Sequence, residues 1–69
     1  MDTFSNRILH LRKSSSLTQQ QVADKLGITR AAYCNYEIGI REPSMEILKR
    51  ICMLFEVTSD YLIGLTDNY

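Results

Sequence analysis

Few residues of this 69-residue sequence have the types and spacing that covalent chemistry needs. His10 is the one histidine, and no partner of metal-ligand or catalytic-triad type stands at a suggestive distance from it, so it reads as a surface or half-buried side chain. Cys34 and Cys52 are the two cysteines, which indicates neither a disulfide scaffold nor a zinc site; both fit a reduced cytoplasm. No cluster of carboxylates, no nucleophile beside a base and no phosphate loop is present, and an enzyme is the least expected class. No cofactor and no small-molecule site is indicated. What remains is recognition without covalent change. Ala31, Cys34, Asn35 and Ile38 follow the i, i+3, i+4, i+7 spacing of one helix face, with Arg30 beside them. Tyr33 and Tyr36, three apart, take another side, so the stripe carrying Arg30 and Asn35 is expected to face outward.

The stripe is positioned by residues 17 to 39, which read as helix, tight turn, helix. Thr18 can cap the first helix, and Gln21 three residues on can reach back, completing a capping box. Leu17 and Val22 occupy the hydrophobic-staple positions. Val22, Ala23 and Leu26 form one apolar stripe, while Gln19, Gln20, Asp24 and Lys25 are expected to face water. Gly27 ends the helix because it tolerates the left-handed backbone. Ile28 and Tyr33 repeat the staple around Thr29, so a second capped helix starts only two residues after the first ends. A link that short forces a sharp crossing, and Ala23 suits the point of closest approach.

These residues resemble the Cro and cI repressor type of helix-turn-helix, also called the xenobiotic-response-element-like domain. The resemblance runs from Ile8 to Gly64. It rests on Leu17-Thr18-Gln19, Val22-Ala23-x-x-Leu26-Gly27-Ile28-Thr29, Tyr36-Glu37-x-Gly39, Arg41-x-Pro43 and Val57-x-x-Asp60-Tyr61-Leu62-x-Gly64. It implies an all-α, compact, five-helix lambda-repressor-like DNA-binding domain over residues 1–69. The helix-turn-helix would lie at 18–38, the recognition helix at about 29–38 and a short C-terminal tail at 65–69.

The resemblance also implies a mechanism. A helix fits the major groove of B-DNA, where each base pair shows a distinct pattern of donors, acceptors and methyl groups. By the family's pattern, Thr29, Arg30, Ala31, Cys34 and Asn35 would meet base edges. Arg30 has the fork for guanine O6 and N7, Asn35 the amide for adenine N6 and N7, and Ala31 the methyl to rest on thymine. Gln19 matches a position that binds the DNA backbone at a helix N-terminus, and Arg41 resembles a phosphate-binding residue of the loop after the recognition helix. Lys13 and Lys25 would add charge. The bland alternative is an ordinary solvated surface. Arg12 and Glu37 would form a structural ion pair that pins helix 1 to the end of the recognition helix. Ile38 and Ile40 depart from the pattern, which there has a small polar residue and a lysine; both changes remove phosphate contacts. They are compatible with thymine-methyl contact, with weaker DNA affinity or with a patch for another protein. Cys34 at a reading position is also unusual, but a lone cysteine without a lowered pKa is more often inert than redox-sensing.

The rest of the chain completes a core. Helix 1 is expected from about Phe4 to Lys13, capped by Asp2 or Thr3, with Phe4, Ile8 and Leu11 inward; Ser14, Ser15 and Ser16 break it. After the loop Gly39-Ile40-Arg41-Glu42-Pro43, Ser44 caps helix 4, expected from Met45 to Phe55 with Met45, Leu48, Ile51, Cys52 and Phe55 on its apolar face. Cys52 and the methionines read as core filling. Thr58 caps a short helix 5, which Gly64 closes, and Leu65 to Tyr69 have no clear structure of their own.

Length and charge bound the function. A chain this short buries only about 60% of its unfolded surface, so dimerisation would help. The net charge is +0, yet residues 1–30 carry five basic and two acidic side chains while residues 31–69 carry three basic and six acidic ones. Such a dipolar molecule can turn its positive end to phosphates. No run of about 18 apolar residues and no signal peptide is present, so a cytoplasmic protein without membrane contact is expected. The leading expectation is a prokaryotic or phage transcriptional regulator, a repressor, that reads palindromic double-stranded DNA as a homodimer, with helix 5 and the tail as dimer contact. Without an effector domain, its signal would come through dimer formation, a partner or its own concentration. The alternative is a protein-interaction module, an antirepressor or antitoxin component with a protein partner.

Overall fold

Side-chain caps and short links divide the chain into helices. The computed structural model describes residues 3–69. Helix α1 spans Thr3–Ser14, α2 Gln19–Leu26, α3 Arg30–Ile38, α4 Met45–Phe55 and α5 Ser59–Ile63. From α2 onward each helix starts on a hydroxyl that accepts an orphan amide: Thr18 from Gln21, Thr29 from Ala32, Ser44 from Ile47 and Thr58 from Tyr61. The capping box of α2 is complete, because the Gln21 side chain also accepts the Thr18 amide at 2.8 Å. Thr3 lies within helix α1 and is not its cap; the other expected cap, Asp2, lies outside the described residues.

The core is built from all five helices. Ile8, Val22, Ala23, Tyr33, Ile51 and Leu62 have no exposed surface at all. Tyr36 packs edge-on against both Phe4 and Tyr33, each at 6.3 Å between ring centroids. The staples Leu17–Val22, Ile28–Tyr33 and Val57–Leu62 all lie within this apolar cluster.

Helix α4 corrects the expected face. Met45 and Met53 are 76% and 78% exposed and fill no core. The reason is angular. At about 100° per residue, Ile47, Leu48, Leu54 and Phe55 fall within about 60° of the buried Ile51, whereas Met45 lies about 120° and Met53 about 160° away. Those four side chains, with half-buried Cys52 at the margin, pack on the core.

The tail also has more structure than expected. Arg7 on α1 lies over the Tyr61 ring, 4.3 Å from its centroid, and donates to the carbonyls of Tyr61 and Thr66 at 2.6 and 2.5 Å. It also bonds Asp67 at 2.7 Å, and the Tyr69 ring rests 4.7 Å from that of Tyr61. Residues 65–69 are therefore folded back along α1.

Candidate nucleic-acid interface

The outward face of α3 is held in place at both ends. At its start, Gly27 adopts φ 75°, which lets its amide turn back to Asp24 and the amide of Ile28 to Ala23, at 3.2 and 3.0 Å. From α4, Arg50 donates through Nη1 to the carbonyl of Leu26 at 2.9 Å and pairs through Nε with Glu46 at 3.3 Å. A Cβ on Gly27 would lie 3.2 Å from that same Nη1, so the turn and the guanidinium are packed together.

At the other end of α3, the Glu37 carboxylate is a junction. Arg12 donates to it from Nε at 2.5 Å and from Nη2 at 3.1 Å, Gln19 from Nε2 at 2.9 Å and Tyr33 from its hydroxyl at 2.5 Å. Arg12 adds a bond to the carbonyl of Leu17 at 3.0 Å, so α1, the entry to α2 and the end of α3 meet at one group. Burial pushes the Glu37 carboxyl upward, but the hydrogen bonds from Arg12, Tyr33 and Gln19 outweigh it and hold it below its ordinary value. Tyr33 is driven far above its ordinary value, first by burial and then by bonding to a carboxylate that would repel a phenolate. Arg12 is raised by its hydrogen bond to Glu37.

On this frame, Thr29, Arg30 and Ala31 are exposed at the start of α3, while Cys34 and Asn35 one turn on are half-buried. Thr29 spends one lone pair on the cap, at 3.1 Å from the Ala32 amide. Asn35 lines a groove shared with Arg41, Pro43 and Ser44, so it lies nearer the following loop than Arg30 does. Arg41, Lys13 and Lys25 are exposed. Gln19 departs from the water-facing position expected for it: it is half-buried, with one amide hydrogen committed to Glu37 and the other left over. Ile38 and Ile40 are 53% and 69% exposed beside the same face.

No motif in the sequence assigns a role to Arg7 or Arg50. Their partners are mainly backbone carbonyls, which carry no residue-type signal. Tyr33 as a donor to Glu37 was legible in principle, since the two stand four apart on one helix.

Residues 8–62 match the helix-turn-helix family. The chain belongs to that family. It is 50% identical over 65 residues to the uncharacterized helix-turn-helix transcriptional regulator YqaE of Bacillus subtilis, covering 94% of this chain and 56% of that protein. It is 42% identical over 59 residues to the regulator AnsR of the same organism, covering 86% of this chain and 51% of AnsR. It is 40% identical over 58 residues to the cryptic phage CTXphi transcriptional repressor RstR of Vibrio cholerae, covering 84% and 52%. The chain thus spans about half the length of the curated relatives it matches. Among solved structures, a transcriptional regulator from Listeria innocua superposes with TM-score 0.85 at 26% identity, covering 96% of this chain and 62% of that one. The P22 c2 repressor in complex with a synthetic operator shares the fold, with TM-score 0.85 at 24% identity and coverage of 91% and 96%. The five-helix architecture is that of the phage repressor domains.

Proposed function

We propose that this helix-turn-helix chain is a sequence-specific double-stranded-DNA-binding transcriptional regulator, a repressor, and not an enzyme. The observation that carries the reading is the exposed edge Thr29-Arg30-Ala31, continued by Cys34 and Asn35, on a short helix anchored at both ends. Rigid presentation matters because base readout depends on two-point hydrogen bonds of fixed geometry, each worth about 1–3 kcal/mol of discrimination. Arg30 is assigned to guanine, Asn35 to adenine, and Ala31 and Cys34 to apolar contact. Arg41, Lys13, Lys25 and the remaining amide hydrogen of Gln19 are assigned to phosphates, which set register rather than sequence. The relatives named as transcriptional regulators and repressors support the reading.

The active form we propose is a twofold dimer whose reading helices enter successive major grooves about 34 Å apart. Support comes from an apolar groove lined by Phe4, Pro43, Met45, Leu48 and Ile63, with Met45 and Ile63 themselves exposed at its edge. Small domains gain stability by covering such a face. Helix α5 and the tail are assigned to the same contact, since Ile63, Leu65 and Tyr69 are exposed apolar side chains there.

The exposed Ile38 and Ile40 favour a second reading, a protein-interaction module of antirepressor or antitoxin type. Selection of bound duplexes from a random pool at near-physiological salt, with Asn35→Ala beside the unmodified chain, decides between them. A palindromic motif that blurs at one symmetric position in the variant is expected. No enrichment would shift the reading to protein binding.

A further inference from the structure

The geometry points to Arg50, on α4 and outside the reading face, as a positioning residue that sets the angle of α3. This role rests on the DNA-reading function proposed above. Glu37 fixes the C-terminal end of α3, but the N-terminal end follows Leu26 by only Gly27, Ile28 and the cap Thr29. The Arg50–Leu26 bond ties the residue that ends α2, at the edge of this turn, to α4. It meets a carbonyl at the negative end of the α2 dipole, where a cation is favoured. The guanidinium also fills the space beside Gly27, so it limits the turn by contact as well as by bonding. The Arg50–Glu46 pair is half-exposed, a setting in which ion pairs add little to global stability. Arg50 therefore acts mainly on the orientation of the turn and of the helix that follows it.

The test uses Arg50→Met, which keeps the stem and removes the donors, and Arg50→Lys, which keeps a cation that can reach Leu26. Amide hydrogen exchange at Gly27 and Ile28 is measured without DNA. Affinity is then compared between the selected site and a scrambled duplex, below the melting temperature of each variant. In Arg50→Met, exchange at both amides is expected to quicken and discrimination to fall roughly 5- to 10-fold, the loss of about one base contact. Affinity for the scrambled duplex and its salt dependence should stay unchanged, because in this role Arg50 contacts the turn and not a phosphate. Arg50→Lys should stand close to the unmodified chain. Discrimination retained in Arg50→Met, or equal weakening on both duplexes with a shallower salt slope, would overturn the role. If the unmodified chain itself prefers no sequence, the DNA reading fails and the role with it, an outcome separate from intact discrimination in the variant.

Discussion

The guanidinium of Arg12 lies against the carboxylate of Glu37, with Nε 2.5 Å from Oε2 and Nη2 3.1 Å from Oε1, and their side chains are only 14% and 4% exposed. Removing one member of so buried a pair strands the other charge, which costs about 3–5 kcal/mol. A domain of this size has a total stability of that order. Arg12→Ala should therefore melt at least about 10 °C lower than the unmodified chain, since each kcal/mol moves a small domain by roughly 4–8 °C. Thermal melts followed by circular dichroism check it; an unchanged midpoint would refute the structural importance of the pair.

The same junction gives the fold a signature in acid. Glu37 is held below its ordinary value of 4.5, because its hydrogen bonds outweigh the burial that opposes them. A carboxyl depressed in the folded state contributes stability that is present above its unfolded value, and this is lost as pH falls through the folded one. Urea titrations at about pH 6 and about pH 3 should show the unmodified chain losing more stability than Glu37→Gln, which is weaker at the higher pH but flatter across the range. Equal losses in the two proteins would show that Glu37 does not carry the acid sensitivity.

Most of the fold was legible because it is specified locally. The hydroxyl caps, the glycine that ends α2 and the staples around Thr18, Thr29 and Thr58 each involve residues within a few positions of one another. The Arg12–Glu37 pair was readable only through the family resemblance, since nothing in the spacing of residues 25 apart announces a contact. The α4 face went partly wrong because hydrophobicity alone places Met45 with Ile51, while helix rotation turns it away. Arg7 and Arg50 escaped notice because both bind carbonyls, and every residue has one. Their carbonyl partners are fixed by how the helices pack, which no local pattern encodes.

Arg7 ties the end of the chain to α1, and its contacts divide into strong and weak. Asp67 is 97% exposed, so its ion pair with Arg7 is heavily screened, and Asp67→Asn should change stability by less than about 0.5 kcal/mol. Arg7→Ala also removes the bonds to the Tyr61 and Thr66 carbonyls and the stacking on Tyr61, and should cost about 1–3 kcal/mol. Denaturant unfolding separates the two variants, and limited proteolysis of residues 65–69 should be quickened in Arg7→Ala alone. Equal effects of the two changes would assign the tail to the ion pair.

Ile40 offers a gain-of-function test of how the chain meets DNA. It stands two residues past the end of α3, is 69% exposed, and follows Gly39, whose left-handed backbone ends the helix. An apolar side chain there provides no charge to a phosphate. If the reading face docks as proposed, Ile40→Lys adds one cation beside the DNA backbone and should release about one more counterion, steepening the log–log salt dependence by about 0.9. Affinity should rise at low salt and the selected sequence should stay the same, because a phosphate contact carries no base information. Fluorescence anisotropy over a salt series measures the slope. An unaltered slope would place Ile40 away from the DNA, where its exposed surface fits a protein partner instead.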